Sequence, residues 1–332
     1  MDLGFAEKVG IFLGLILIFL FGSIGSSYTL QSAAGGGLGE QYVFMTKWGT
    51  LGTANGQFRD AGGIGADSLG HIYVVDSGNE RIEKFDSNGT FIIAWGSLGT
   101  GNGQLNHAHD IAVYPCGNNL YLADTDNHRV QMFDSHGKFL RKWGSNGTAT
   151  GQFRYPDGIG VDSRQGNVYV ADTDNNRIQM FDDYGTFIIA WGSPGTGNGQ
   201  LNHPEGITVD KLGHIYVVDP GNDRIQKFDS NGTFITTWGT LGTANGQFNH
   251  PEGITVDYSG NLYVVDHGNN RIEKFDSNGT FITAWGSLGT SNGQFNEVTD
   301  VTVDSAGYLY VSDYGKNNVQ VFALGISPHP IN

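Results

Sequence analysis

Gly-Gln-Phe or Gly-Gln-Leu begins at Gly56, Gly103, Gly151, Gly199, Gly246 and Gly293, at intervals of 47 or 48 residues. A fixed period of that size commits a chain to a repeat architecture, because each unit is one supersecondary element that buries its apolar face only against a neighbour. Every unit holds four short strand-like runs, in the fifth case GITVD (253–257), NLYVVD (261–266), RIEKFD (271–276) and TFITAWG (280–286). Turn-forming residues separate the runs, and the recurring Ser-Asn-Gly-Thr reads as a type I′ hairpin turn. Four strands in about 45 residues make a propeller blade rather than a helical repeat. The composition agrees, with 52 glycines and only 15% charged residues, which suits turn-punctuated β structure.

The sixth unit supplies three strands and stops at NVQVF (318–322), whereas YVFMTKWG (42–49) matches the fourth run of the other units and leads into the same linker. The expected fold is therefore all-β, a six-bladed propeller of four-stranded blades over residues 42–322, closed by an N-terminal strand. Closure removes the open edges that a linear stack of sheets would leave. It also accounts for the six tryptophans, Trp48, Trp95, Trp143, Trp191, Trp238 and Trp285, one at the end of each blade. Both faces of the second strand are apolar, as in Ile72, Tyr73, Val74 and Val75, which a sheet sandwiched between two others requires.

The pattern GQFxxPxGIxVDxxGxxYVxDxxNxRIxxFDxxGxFxxxWG resembles the NHL repeat, and six copies resemble a six-bladed NHL propeller. The resemblance is specific for fold. Similar propellers occur in amidating lyases, in sensor portions of bacterial receptor kinases and in RNA-binding ubiquitin-ligase proteins, so it carries little about function. No RING-like cysteine and histidine cluster accompanies the repeats here, and the single cysteine, Cys116, excludes an intrachain disulfide framework.

The first 41 residues are a different polymer. Gly10 to Ile24 is almost wholly apolar, preceded by Lys8 and followed by a small and polar run. Residues 1–24 read as a signal peptide or an N-terminal membrane anchor, 25–41 as a Gly/Ser-rich linker, and 323–332 as a C-terminal tail. Either reading of 1–24 exports the rest and places it at the cell surface or outside the cell, with the membrane as a partner in the anchored case. A formal net charge of −15 repels phosphate backbones and sets nucleic acid aside.

In an up-and-down blade the start of strand one, the end of strand two, the start of strand three and the end of strand four share one face, called the top. The residue before each first strand should ring the channel there: Gly62, His109, Asp157, Glu205, Glu252 and Thr299. Three carboxylates and an imidazole in one ring make His109, Asp157, Glu205 and Glu252 the candidate metal ligands, because adjacent carboxylates ionise together only with a cation or donors between them. Oxygen donors favour Ca2+ over Zn2+. His109 falls where amidating lyases, by resemblance, hold zinc through histidines, but the other five ring positions carry none; the acid-rich mouth is more similar to the calcium-bearing channel of lactonase-type propellers. His107, His203 and His250 lie two residues before ring positions and join Thr299 and Asp313 as candidate top-face binding residues.

A second ring, Asp76 to Asp313, ends the second strands, and Arg81, Arg129, Arg177, Arg224 and Arg271 open the next strands as structural partners. Asn318 occupies the arginine slot of blade six and leaves Asp313 without that cation. Asn88, Asn231 and Asn278 each begin Asn-Gly-Thr, a glycosylation acceptor sequence, in turns of the opposite face. Two functions follow as expectations: a binding module for a protein, peptide or glycan on the top face, or a metal-dependent hydrolase or lyase with its ion in the mouth. No catalytic residue is assigned.

Overall fold

The structure, a computed structural model, describes residues 40–114 and 119–325. Residues 1–24, read above as a signal peptide or anchor, nearly all of the linker, Cys116 and most of the C-terminal tail lie outside those residues. Among the described residues, no helix is long and apolar enough to cross a membrane. Six four-stranded antiparallel sheets are arranged as a propeller.

Blade six is assembled from both ends of the chain. Its order from the channel outwards is Val298–Val303, Leu309–Asp313, Asn318–Leu324 and then Tyr42–Trp48. The joining ladder sets Tyr42 opposite Leu324 and Trp48 opposite Val319. The strand thus runs two residues past the expected boundary at 322. Packing closes the ring as well, since one core cluster contains Tyr310, Val319 and Val321 of the last blade with Phe58, Ile64, Ile72 and Phe85 of the first. Side chains of this size contribute about 1.5–3 kcal/mol each when fully buried.

The tryptophans fasten each blade to the next. A Cβ added to Gly89, Gly137, Gly185, Gly232 or Gly279 would meet the ring of Trp48, Trp95, Trp143, Trp191 or Trp238 at 2.5–2.6 Å, so the turn glycine of one blade is the seat for the preceding blade's indole. Among the described residues no such glycine faces Trp285, and Tyr42 stacks on it instead, with centroids 4.4 Å apart. All six indole N–H groups are buried without a hydrogen bond. Their contribution is therefore ring area. The turn itself differs from the type I′ expectation: Gly89 has φ of +82° but Asn88 is not in the left-handed region. Asp86 accepts bonds from the backbone N–H of Asn88 and Thr90, which gives a three-residue loop ending in a left-handed glycine.

The second ring of aspartates is a scaffold for the top linkers. Asp124 Oδ2 accepts from Arg129 Nε at 2.6 Å, and Oδ1 accepts from the N–H of Asn106 at 2.8 Å. The same guanidinium donates to the carbonyls of Thr100, Gly101 and Gln104 in the linker. Arg81, Arg177, Arg224 and Arg271 repeat the Nε bond to their aspartates at 2.6–2.7 Å. Blade six differs from expectation. Asp313 is fully buried rather than presented on the binding face, and it has a cation: Lys316 Nζ stands 3.7 Å from Oδ2 and donates to Gln294 O at 2.6 Å. A lysine from the preceding turn can reach the carbonyl that arginine serves elsewhere. Burial still pushes the Asp313 carboxyl up to about 6.

Candidate functional site

The first strands line the central channel, and their lead-in residues converge on a top cavity of about 320 Å3. All six ring positions line it. Close approach of neighbouring backbones explains the glycine that follows most of them: a Cβ at Gly158 would lie 2.0 Å from Glu205 O, and one at Gly206 would lie 2.4 Å from Glu252 O. Two blades break that rule with Asp110 and Asp300. Each reaches across to the next blade, Asp110 Oδ2 accepting from Ile159 N–H at 2.8 Å and Asp300 Oδ2 from Ile64 N–H at 2.9 Å. Both border the top cavity and the cavity of about 510 Å3 below it, so they form the waist of the channel.

The ring carboxylates are not equivalent. His109 Nδ1 lies 3.2 Å from Asp157 Oδ1, and the Asp157 charge, opposed in part by burial, pushes the imidazole up to about 9. His267 Nδ1 lies 3.2 Å from Glu252 Oε1 and 2.9 Å from Val298 O, and its bond to Glu252 raises it to about 9 as well. Two of the three ring carboxylates therefore face imidazolium groups at neutral pH. Glu205 has no side-chain hydrogen bond or ion pair among the described residues, and burial, then Asp157 and Glu252, push its carboxyl well above the ordinary range. Below it burial raises Asp110 to about 6 and lifts Asp300 well above the ordinary range, with Asp110 adding to the effect.

The upstream histidines separate. His250 comes close enough to the ring that one ligand atom each from His250, Glu205 and Glu252 lie within 4.8 Å of one another. His107 lines the cavity and packs edge-on against His109, with centroids 5.6 Å apart. His203 stands exposed outside it, 3.8 Å from Asp174. Thr299 Oγ1 is engaged with Ala61 O and Ser312 Oγ at 3.2 and 3.0 Å. Ser77 Oγ, also in the wall, donates to Ala108 O at 2.7 Å. The hydroxyls of Ser77 and Thr299 thus serve the scaffold, while the ring acids with His107, His109 and His267 line the cavity. Such a set can hold a divalent cation or an ammonium group, and its His-Asp and His-Glu pairs can carry protons.

Sequence reasoning passed over His267, Asp110 and Asp300. His267 fills the slot held by Ser77, Thr125 and Thr173 in other blades, where the hydroxyl bonds the next blade's backbone, as Thr125 Oγ1 does to Pro156 O at 2.8 Å. The readable signal was a titratable residue in a hydroxyl slot. For Asp110 and Asp300 it was aspartate where four blades have glycine.

The NHL repeat family model matches residues 58–85, 105–133, 153–181, 201–228 and 248–275. This chain is an NHL-repeat β-propeller. The sixth blade, split between the two ends, falls outside the five matched repeats. No curated protein matches the chain. Among solved structures, the NHL propeller is similar to virginiamycin B lyase from Staphylococcus aureus, in a catalytically inactive form with quinupristin, at 16% identity and TM-score 0.57 over 86% of this chain and 88% of that one. A gluconolactonase from Xanthomonas campestris matches at 14% identity and TM-score 0.60, over 82% and 88%. A chain of the nidogen/laminin complex matches at 18% identity and TM-score 0.53, over 70% and 82%. At these identities the likeness is one of fold.

Proposed function

We propose that this NHL propeller is a binding module that takes a cationic group of a peptide or protein partner into its top mouth, with Glu205 as the receiving carboxylate. One observation carries the reading. Among the described residues Glu205 makes no side-chain hydrogen bond or ion pair, it is set among carboxylates in a cavity of about 320 Å3, and burial with the neighbouring acids outweighs the opposing charge of His109, a state that a bound cation relieves. A structural neighbour in a protein–protein complex, nidogen with laminin, is consistent with a propeller of this shape acting through contact rather than chemistry.

A second reading, a metal-dependent hydrolase or lyase, is favoured by the proximity of Glu205, His250 and Glu252 and by the lactonase and lyase folds among the neighbours. Calcium suits Asp157, Glu205 and Glu252 alone; an imidazole in the set moves the preference towards zinc. His109, held to Asp157, is then a proton-carrying neighbour rather than a ligand.

The propeller is placed outside the cell on the strength of its apolar segment at residues 10–24. Both described ends leave from the bottom face, where Gly325 N–H bonds Gln41 O. An anchored chain would point its mouth away from the membrane. Asn88, Asn231 and Asn278 are exposed in bottom turns and are proposed as glycan acceptors.

Calorimetric titration of the full chain with an arginine-containing peptide, with CaCl2 and with ZnCl2, each repeated on Glu205→Gln, distinguishes the readings. Peptide binding that Glu205→Gln abolishes supports the first. Metal binding that Glu205→Gln abolishes, without peptide binding, supports the second. Silence from all three probes removes both.

A further inference from the structure

The linkers that cross the top from each outer strand to the next blade's inner strand all have the same backbone. In the linker from blade one to blade two, Gly99 N–H bonds Leu105 O at 2.8 Å and Leu105 N–H bonds Ser97 O at 2.9 Å, and Leu98 is clasped between them. Leu51, Leu241 and Leu288 are held by the same pair of bonds in their linkers. Held main chain does not mean buried side chain: these four leucines are 66–68% exposed. The fold does not ask for leucine there. Asn146 and Pro194 occupy the slot in the two remaining linkers with both backbone bonds intact.

The four leucines sit on consecutive linkers, from blades four to five, five to six, six to one and one to two. Together they make an uninterrupted arc, completed across the ring closure by Leu51. No Asp, Glu, Lys or Arg falls within residues 50–57, 97–104, 240–247 or 287–294. The arc is thus an uncharged rim that carries four exposed leucines beside an acid-lined mouth. Arginine-to-carbonyl bonds beneath it, such as Arg81 to Thr53 O and Ala54 O at 2.9 Å, with Lys316 donating to Ser291 O and Gln294 O in the Leu288 linker, fix the linkers and so present the side chains in advance of any partner.

We infer that this leucine arc is a docking surface for a protein segment that carries a basic side chain for the mouth and apolar side chains for the rim. The inference rests on the mouth taking a cation, and charge complementarity chooses the partner: an acidic, net −15 chain draws a basic one, and the apolar arc adds contact area that water does not reward. Inner and outer strands are three spacings apart, about 14 Å. Allowing for the channel, a segment seated at Glu205 reaches the arc after roughly five or six extended residues at about 3.3 Å each. The partner's signature is accordingly a lysine or arginine with leucine, isoleucine or phenylalanine five to six residues away. Where the arc is interrupted, Asn146 begins another Asn-Gly-Thr, a position at which a polar attachment leaves the arc uncovered.

The test uses the full chain and fluorescein-labelled 13-residue peptides read by anisotropy. One peptide has a central arginine with leucines six residues to either side; a second replaces those leucines with serine; a third replaces the arginine with glutamine. The protein variants are Glu205→Gln and the quadruple Leu51→Ser, Leu98→Ser, Leu241→Ser, Leu288→Ser, with Leu69→Ser, Leu212→Ser on the bottom face as control. The first peptide should bind at least tenfold tighter than the second, with that advantage lost in the quadruple variant and kept in the control. Leucine-dependent binding of the third peptide would support the docking surface while removing the cation reading of the mouth. Equal binding of the first and second peptides, unaffected by the quadruple change but abolished by Glu205→Gln, would overturn the docking surface and leave the mouth intact. Absence of binding by any peptide overturns it as well. Unchanged melting temperatures of the variants show that loss of binding is not loss of fold.

Discussion

Two buried glutamates offer the sharpest energetic test of the blade chemistry. Four blades carry glutamine in the middle of the third strand; Gln131 Nε2, for example, donates to Gln104 O at 2.6 Å and to Asp124 Oδ2 at 2.9 Å. Blades one and five have Glu83 and Glu273 instead, both fully buried. One oxygen of each still accepts from Gly56 or Gly246 N–H at 3.0 Å, but Oε1 has no hydrogen bond. Arg81 Nη2 lies 2.9 Å from Glu83 Oε1, yet its two protons already go to Ala54 O and Gln57 O, so the contact supplies charge without a bond. Burial wins and pushes each carboxyl to about 7. A raised carboxyl favours folding when protonated, so its contribution is intact below pH 4.5 and is lost as pH rises through 7. Shifting from 4.5 to about 7 costs on the order of 3 kcal/mol per site at pH 8. Glu83→Gln with Glu273→Gln restores the donor and removes the titration. The sites are two blades apart and should add. The double variant should therefore melt roughly 10 °C above the parent at pH 8, taking about 2 °C per kcal/mol, and nearly with it at pH 4.5. Gln131→Glu should do the reverse at pH 8. A thermal-shift gap between double variant and parent that is the same at both pH values would refute the argument.

Further outcomes follow from the closure and the mouth. Deleting residues 42–49 removes the Tyr42 stack on Trp285 and the Trp48 seat, and should lower the melting temperature by at least several degrees; an unchanged value would show that the strand does not close the ring. The His109 ring should titrate near 9 by NMR and fall towards 6.5 in Asp157→Asn, because the Asp157 charge is its main support. Its contribution to stability is complete below pH 6.5 and is lost as pH rises through 9. Single cysteines at Ser291 on the top and Ser230 on the bottom, in a Cys116→Ser background on intact cells, should label faster at Ser291 if an anchor holds the bottom face to the membrane; the opposite order counts against that orientation.

The blade period, the ring closure and the ring of lead-in residues could be read from sequence because each is repeated, and repetition converts one unit's pattern into six aligned observations. For His267 the repeat shows only that its slot departs from the hydroxyls of Ser77, Thr125 and Thr173, not what it touches. It belongs to a turn after the second strand, and only the pleat and curvature of blade five carry it over Glu252. In the opening of the second repeat, LNHAHDIAV (105–113), His109 is the ring residue, while Asp110 beside it does as much for the channel by tying blade two to Ile159. Asp313 misled for the opposite reason. Its arginine slot is empty in the linear pattern, but Lys316, three residues on, curls back to serve it. What the sequence pattern conveys poorly is substitution of one donor by another from a different position. The state of Glu205 also needs three dimensions, since it depends on which neighbouring acids are already paired.

The most direct measurement is a crystal structure of the full chain with the arginine-and-leucine peptide. The guanidinium is expected in the top mouth, with a nitrogen about 3 Å from the Glu205 carboxylate and His109–Asp157 and His267–Glu252 still paired. Peptide bound on the outer strands or the bottom face, with the mouth holding only solvent, would contradict that placement and with it the proposed function.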